Sequence, residues 1–168
     1  MKKKLATLAA SLLLTFDTLP VFAHHGWTYF DTSRAYYLEG HIVSVRWGNP
    51  HPEIVLRPIS VSSVPDLSRV EMPPAESGLL RTMPALPIPS SIQALPTDGA
   101  EYVIVLAPPS RLSDWGMTES DTGSGRRLRM VGYLACDDGH EFRPEVVILD
   151  DNRAVRQRSV PVPPTPCS

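Results

Sequence analysis

Several things are scarce in this chain. It has two cysteines, Cys136 and Cys167, without the paired spacing of a zinc site or a redox dithiol. No apolar run approaches the roughly 20 residues that a membrane-spanning helix needs. Beyond Lys2-Lys3-Lys4 no basic run is present, and 16 Lys and Arg face 18 Asp and Glu. That balance gives no electrostatic case for nucleic acid or an anionic membrane. Helical periodicity is almost missing. No nucleophile elbow surrounds any serine. Asp137-Asp138 and Asp150-Asp151 lie in or beside turns, where local hydrogen bonding favours Asp, so they do not read as catalytic carboxylate pairs.

The first residues do carry a pattern. Lys2, Lys3 and Lys4 precede an apolar stretch from Leu5 to Phe16, and Val21-Phe22-Ala23 follows Pro20. This is the order of a secretory signal peptide, with cleavage expected after Ala23. Residues 1–23 are therefore expected to be removed, leaving a periplasmic or secreted chain without a stable membrane span. That chain would have about 145 residues, enough for one domain, and a formal charge of about −4. In an oxidising compartment Cys136 and Cys167 are either joined or separate thiols, and both readings stand at this point.

The remainder reads as β-structure. Strands are expected over Tyr36–Trp47, Glu53–Ile59, Tyr102–Leu106, Arg127–Ala135 and Pro144–Leu149, from β-branched and aromatic enrichment or alternation. Val43, Val45 and Trp47 would share one face of the first. Gly48-Asn49-Pro50 and Asp137-Asp138-Gly139-His140 are turn signals. Arg111–Met117 suits a short helical turn ending at Gly116. Eight prolines fall between Pro58 and Pro96. They predict an extended excursion with at most one short helical turn, because proline removes a donor and breaks regular elements.

The expected fold is all-β: a small five-stranded OB-like, partly open barrel with a long proline-rich insertion, a small sandwich being the alternative. Residues 24–158 would form the domain, with 59–100 as the insertion. Residues 159–168 would be a proline-rich tail, disordered unless Cys167 holds it.

His24-His25-Gly26-Trp27, Leu38-Glu39-Gly40, Trp47-Gly48-Asn49-Pro50-His51, Trp115-Gly116-Met117 and Val131-Gly132-Tyr133 together resemble a family of uncharacterised bacterial exported proteins. The resemblance covers most of the chain after Ala23 and is weakest in the proline-rich segment, where the insert between Ile59 and Glu101 departs from the family. It implies a small periplasmic β-barrel-like domain and no reaction.

The two histidine motifs carry the chemistry. After cleavage His24 would present a free α-amine beside its imidazole, and both groups deprotonate readily when a metal competes. Planar nitrogen ligation favours Cu(II). The arrangement resembles the histidine brace of copper monooxygenases and of some periplasmic copper carriers, which begin with His. His51 would supply the opposing imidazole and His25 an auxiliary one, with Trp27, Tyr29 and Trp47 as shielding. Against this stands a bland reading, in which the His pair is simply exposed and His51 bonds the backbone. His41 and His140 read as structural or surface residues.

The expectation is a non-enzymatic exported binding protein that takes a metal ion, copper, or a small ligand, and whose partner is otherwise another periplasmic protein. A metal-free ligand- or protein-interaction module, with Trp27, Trp47 and Trp115 as its aromatics, is the alternative. A copper-dependent oxidase or monooxygenase ranks third.

Overall fold

The computed structural model describes residues 26–77, 81–83 and 85–168. The expected signal peptide, with His24 and His25, lies outside the described residues.

β1 (Ala35–Arg46) is a 12-residue strand that serves two barrel neighbours in turn. Its first half pairs antiparallel with β9 (Arg127–Leu134), from Tyr36 opposite Gly132 to His41 opposite Arg127. Its second half pairs antiparallel with β2 (Glu53–Pro58), from Gly40 opposite Pro58 to Arg46 opposite Glu53. β2 pairs with β8 (Tyr102–Val105), β8 runs parallel to β10 (Glu141–Ile148), and β10 pairs with β9. The circuit β1-β2-β8-β10-β9-β1 is therefore complete. The expected small five-stranded barrel is what forms. It is closed rather than partly open, because β9 binds both β1 and β10.

Closure needs the chain to bend sharply where strands cross. At Gly40 a Cβ would fall inside contact distance of the Arg57 carbonyl, and at Gly132 it would strike the Arg143 carbonyl and Pro144 Cα. Both glycines are there because backbone approaches backbone too closely for any side chain. The β1–β2 pairing also carries a register shift between Ile42 and Ser44. A bulge of this kind adds a residue and changes which face later side chains occupy. It corrects the expected face of β1: Val45 and Trp47 pack against the inner core with Ile42, and Val43 does not.

Two cores result. The inner one fills the barrel with Ile42, Ile54, Leu56, Ile104, Leu128, Met130, Phe142 and Val147. It is capped at one end by α1 (Pro109–Asp114), whose Leu112 is buried. The helix opens on Pro109 at its first position and gives way at Trp115 to Gly116, whose φ of 84° is the left-handed stop that glycine tolerates. The outer core lies on the far side of β1, β9 and β10 and contains Phe30, Tyr37, Val131, Tyr133, Ala135 and Val146.

The proline-rich insertion covers this outer core. Val61, Val64, Leu67, Val70, Leu86, Ile88 and Ile92 pack onto it. No helical turn occurs among its described residues. Instead β3 (Glu71–Met72) pairs with β6 (Leu86–Pro87), and β4 (Ala75–Ser77) pairs with β5 (Arg81–Met83). β7 (Ile92–Ala94) then runs parallel to β1 along the edge that β2 leaves. Short ladders satisfy backbone groups between prolines, where a helix would lose donors.

The C-terminal end is held in place. A strand not expected from the sequence, β11 (Ala154–Arg156), pairs with β10 beyond β8. From there the chain crosses the outer face as a strap. Thr32 Oγ1 donates to the Pro163 carbonyl at 2.8 Å and accepts from the Thr165 amide at 2.8 Å. Cys136 and Cys167 are joined as a disulfide, with Cα atoms 5.5 Å apart. The joined-cysteine reading is thus the one the structure adopts.

Asp31 organises the turn that presents Thr32. Its carboxylate accepts from the Ser33 amide at 3.2 Å and from Arg34 Nε at 2.9 Å. Burial alone would raise its pKa, but these bonds and the Arg34 charge outweigh burial and hold it below the usual carboxylate value.

Two outcomes are expected. Gly132→Ala should lower the denaturant midpoint by an amount equivalent to about 1–3 kcal/mol, since backbone must move to admit the methyl. An unchanged midpoint would mean the close approach does not constrain closure. Because the folded pKa of Asp31 is depressed, its contribution is complete above the unfolded value of about 3.9 and is lost as pH falls through the folded one. Thermal melts of the wild type should therefore be flat from pH 7 to 5 and fall below pH 4. Asp31→Asn should be less stable at pH 7 and lose less on acidification. An identical acid slope in the two proteins would contradict the assignment.

Candidate ligand pocket

The strap, α1 and the N-terminal turn line an open pocket of about 500 Å³ on the outside of the barrel. That volume is within the range of small-molecule sites. Each wall has a local cause. The 3-10 turn Trp27–Tyr29 sets the Trp27 indole edge-on to Tyr133, with ring centroids 6.3 Å apart. The Arg143 guanidinium lies 4.7 Å from the centre of the same indole. The end of β8 leads through Ala107 and Pro108 into α1, which contributes Arg111 and Trp115. The strap supplies Gln157 and the run Ser159–Pro163, kept extended by its prolines.

Beneath the strap is a buried ion pair. Arg158 Nη2 donates to Glu145 Oε2 at 2.9 Å and its Nε lies 2.9 Å from Oε1 as an ion-pair contact, and the side chains are 8% and 1% exposed. The Tyr133 hydroxyl donates to Glu145 Oε1 at 2.7 Å. Burial, followed by the Glu145 charge, pushes the Tyr133 pKa well above that of an ordinary phenol. Arg143 is displaced downward by burial, against the pull of Glu141. It remains a cation at neutral pH, since arginine starts above 12.

The hydrogen-bonding character of the wall is one-sided. Gln157 Oε1 accepts the Ala107 amide at 3.0 Å, which fixes the orientation of the side chain. Gln157 Nε2 and Trp115 Nε1 are then both closed to bulk solvent and have no acceptor among the described residues. The residues that carry them are 4% and 7% exposed. Unmet buried donors cost on the order of 1–3 kcal/mol each, and in folded proteins they usually find an acceptor. Arg111, Arg143 and Arg158 are the charged residues of the wall, and no Asp, Glu, His or Cys is among its described residues.

The histidines stand elsewhere. His51 Nδ1 lies 2.7 Å from the Leu106 carbonyl, in the connection between β1 and β2. A carbonyl only accepts, so Nδ1 carries the proton in this bond. This is the backbone bond of the bland reading, and it is also how a metal-ligating histidine is oriented. No cluster of three or more His, Cys, Asp or Glu that could hold a metal occurs among the described residues. His41 bonds the Gly125 carbonyl at 3.2 Å, and His140 approaches Asp98 at 3.5 Å, both at the surface. Of the expected shielding aromatics, Trp27 and Tyr29 pack against the outer core and Trp47 against the inner one. The structure therefore brings Trp27 and Trp115 to one pocket and leaves Trp47 out of it.

Sequence reasoning missed Arg143, Glu145, Gln157 and Arg158. The available signal was Arg143-Pro144-Glu145, two charges two residues apart in a strand, followed by Arg156-Gln157-Arg158 just before a proline run. Both look like solvated positions until a strap covers them. No described helix is long and apolar enough to cross a membrane. No protein-family model, curated protein or solved structure matches this chain.

Proposed function

We propose that this chain is an exported binding module, not a catalyst, and that its ligand sits in the pocket beneath the C-terminal strap. The supporting observation is an open pocket of ligand size, about 500 Å³, lined by Trp27, Trp115, arginines and the prolines of the strap. A wall of tryptophans, prolines and arginines gives binding area and positive charge, but no acid–base pair or nucleophile–base pair. The signal-peptide pattern of residues 1–23 supports a periplasmic or secreted setting. The Cys136–Cys167 disulfide that anchors the strap suits an oxidising compartment.

A thermal-shift screen of small acids, bases and neutral compounds tests this reading. Val160 is 66% exposed at the pocket, so Val160→Trp should crowd the mouth without touching either core. Compounds that stabilise the wild type should lose their effect in Val160→Trp and keep it in His51→Ala. The reverse pattern would move the seat to the histidines.

One observation favours a second reading, copper binding. The Nδ1–H of His51 is committed to Leu106, which orients Nε2 as the ligating nitrogen. In this reading the α-amine and imidazole of His24 would complete the ligand set, with His25 as auxiliary. Copper there would be held as cargo or cofactor by nitrogen ligands. Cu(II) titration of the chain beginning at His24 should then show a single tight equivalent with a nitrogen-rich spectrum, lost in His51→Ala. Uptake indifferent to both His51 and an added residue before His24 would remove this reading.

A further inference from the structure

We propose that the Cys136–Cys167 disulfide is a redox-sensitive latch. A dithiol reductant that opens it frees the strap over 159–168 and joins the two hollows beside the strap into one groove. This stands whether or not the strap pocket is the ligand seat.

The chain changes character at Ser159. Val155, Arg156, Gln157 and Arg158 are all buried, and their backbone is fixed. The Gln157 amide donates to the Glu145 carbonyl at 2.9 Å, and the Arg158 carbonyl accepts from Arg156 Nε at 3.1 Å. From Ser159 onward no residue is buried, and Val162 alone is half-buried. Such a segment gains little from apolar contact and falls at the low end of local stability. Among the described residues, its hydrogen bonds to the body come from Arg158 Nη1 to the Val160 carbonyl at 2.8 Å and from Thr32 to Pro163 and Thr165. A few bonds of this kind, open to water, do not order a segment of this length against its conformational entropy.

The disulfide supplies the missing hold. Its Cys136 end belongs to the body: the Cys136 amide donates to the Tyr29 carbonyl at 2.9 Å, and Ala135 bridges Phe30. Its Cys167 end belongs to the strap. Both cysteines are exposed, and exposed disulfides are the ones that thiols reach and exchange.

The strap is also a partition. The pocket of about 500 Å³ meets it along 159–163. A second hollow of about 290 Å³ has Pro87, Ile88, Tyr133 and Glu145 on its wall, together with Val162 and Pro164 of the strap. Arg158 and Val162 line both. With the strap away, Tyr133 and Glu145 become the floor of a single groove running from α1 to the insertion.

The exchange is balanced. A thiolate of the reductant attacks one sulfur of the pair, the S–S bond breaks, and the other cysteine leaves as a thiolate that takes up a proton. The second thiol of the reductant attacks the mixed disulfide and releases the remaining cysteine. Two electrons and two protons pass to the protein, and the reductant ends as its own disulfide. Because Arg158 keeps the root of the strap in place, Cys167 stays close to Cys136 and an oxidised dithiol can close the latch again.

The test is NMR relaxation and amide exchange on the chain beginning at His24, oxidised, reduced with dithiothreitol, and as Cys167→Ser. Reduction without denaturant should take the backbone order parameters of Val160, Val162 and Thr165 from about 0.85 to below about 0.6. Exchange of the Thr165 amide should become at least about tenfold faster, while β1, β9 and β10 keep their protection. Cys167→Ser should show the same pattern without reductant. Acrylamide should quench tryptophan fluorescence more strongly once Trp27 and Trp115 lose the strap.

A strap that stays ordered after reduction would mean that the Thr32 bonds suffice, and would overturn the latch. Loss of protection through β9 and β10 would overturn it too, by making the disulfide a staple of the whole barrel. So would a bond that excess dithiothreitol opens only in denaturant. A mobile strap with unchanged quenching would overturn the groove.

Discussion

One shared strand makes the rest of the structure possible. β1 closes the barrel by giving its first half to β9 and its second half to β2, with Gly40 and His41 paired on both sides. Gly40 and Gly132 permit the backbone approaches that this sharing demands. A side chain at either point would push two strands apart and open the circuit. Everything on the outer face depends on that closure. It aligns β1, β9 and β10 into a continuous surface on which a second core assembles.

A small barrel normally exposes its outer face to water, with polar side chains outward. Here that face carries Tyr37, Val131, Tyr133 and Val146 and has to be covered. The insertion covers one part with apolar residues set between prolines. The C-terminal strap covers another, tied by β11 at its start and by Thr32 and the disulfide near its end. The Glu145–Arg158 pair lies beneath it. Such a buried pair is weak evidence for stability, but removing one partner leaves an unmet charge. Its consequence is local: it holds Arg158 against β10 beneath the strap.

The barrel strands were readable in the sequence because each carries local β-branched and aromatic enrichment and is bounded by turn residues. The helical stop at Gly116 and the turn at Asp138–His140 were readable for the same reason, since local chemistry decides them. The bulge after Ile42 was not, because a bulge is a relation between two strands and leaves no period of its own. β11 was hidden by its length of three residues and by its charged neighbours. The insertion reads as an extended excursion, and its internal pairing left no local mark. Its ladders pair residues such as Met72 and Leu86, which proximity in sequence does not mark. The pocket was the least visible part. Trp115 read as an aromatic to watch, while Gln157 and Arg143 acquire meaning only when the strap folds over β10. His51 was noticed for a motif, and the structure assigns its Nδ1 to the Leu106 carbonyl.

A crystal structure of the chain beginning at His24, grown with a compound that stabilises it in the thermal-shift screen, would test the central claim most directly. The account predicts density for that compound under the strap, against Trp27, Trp115 and the run Ser159–Pro163. Density for the compound elsewhere, with the strap pocket empty of it, would contradict the account.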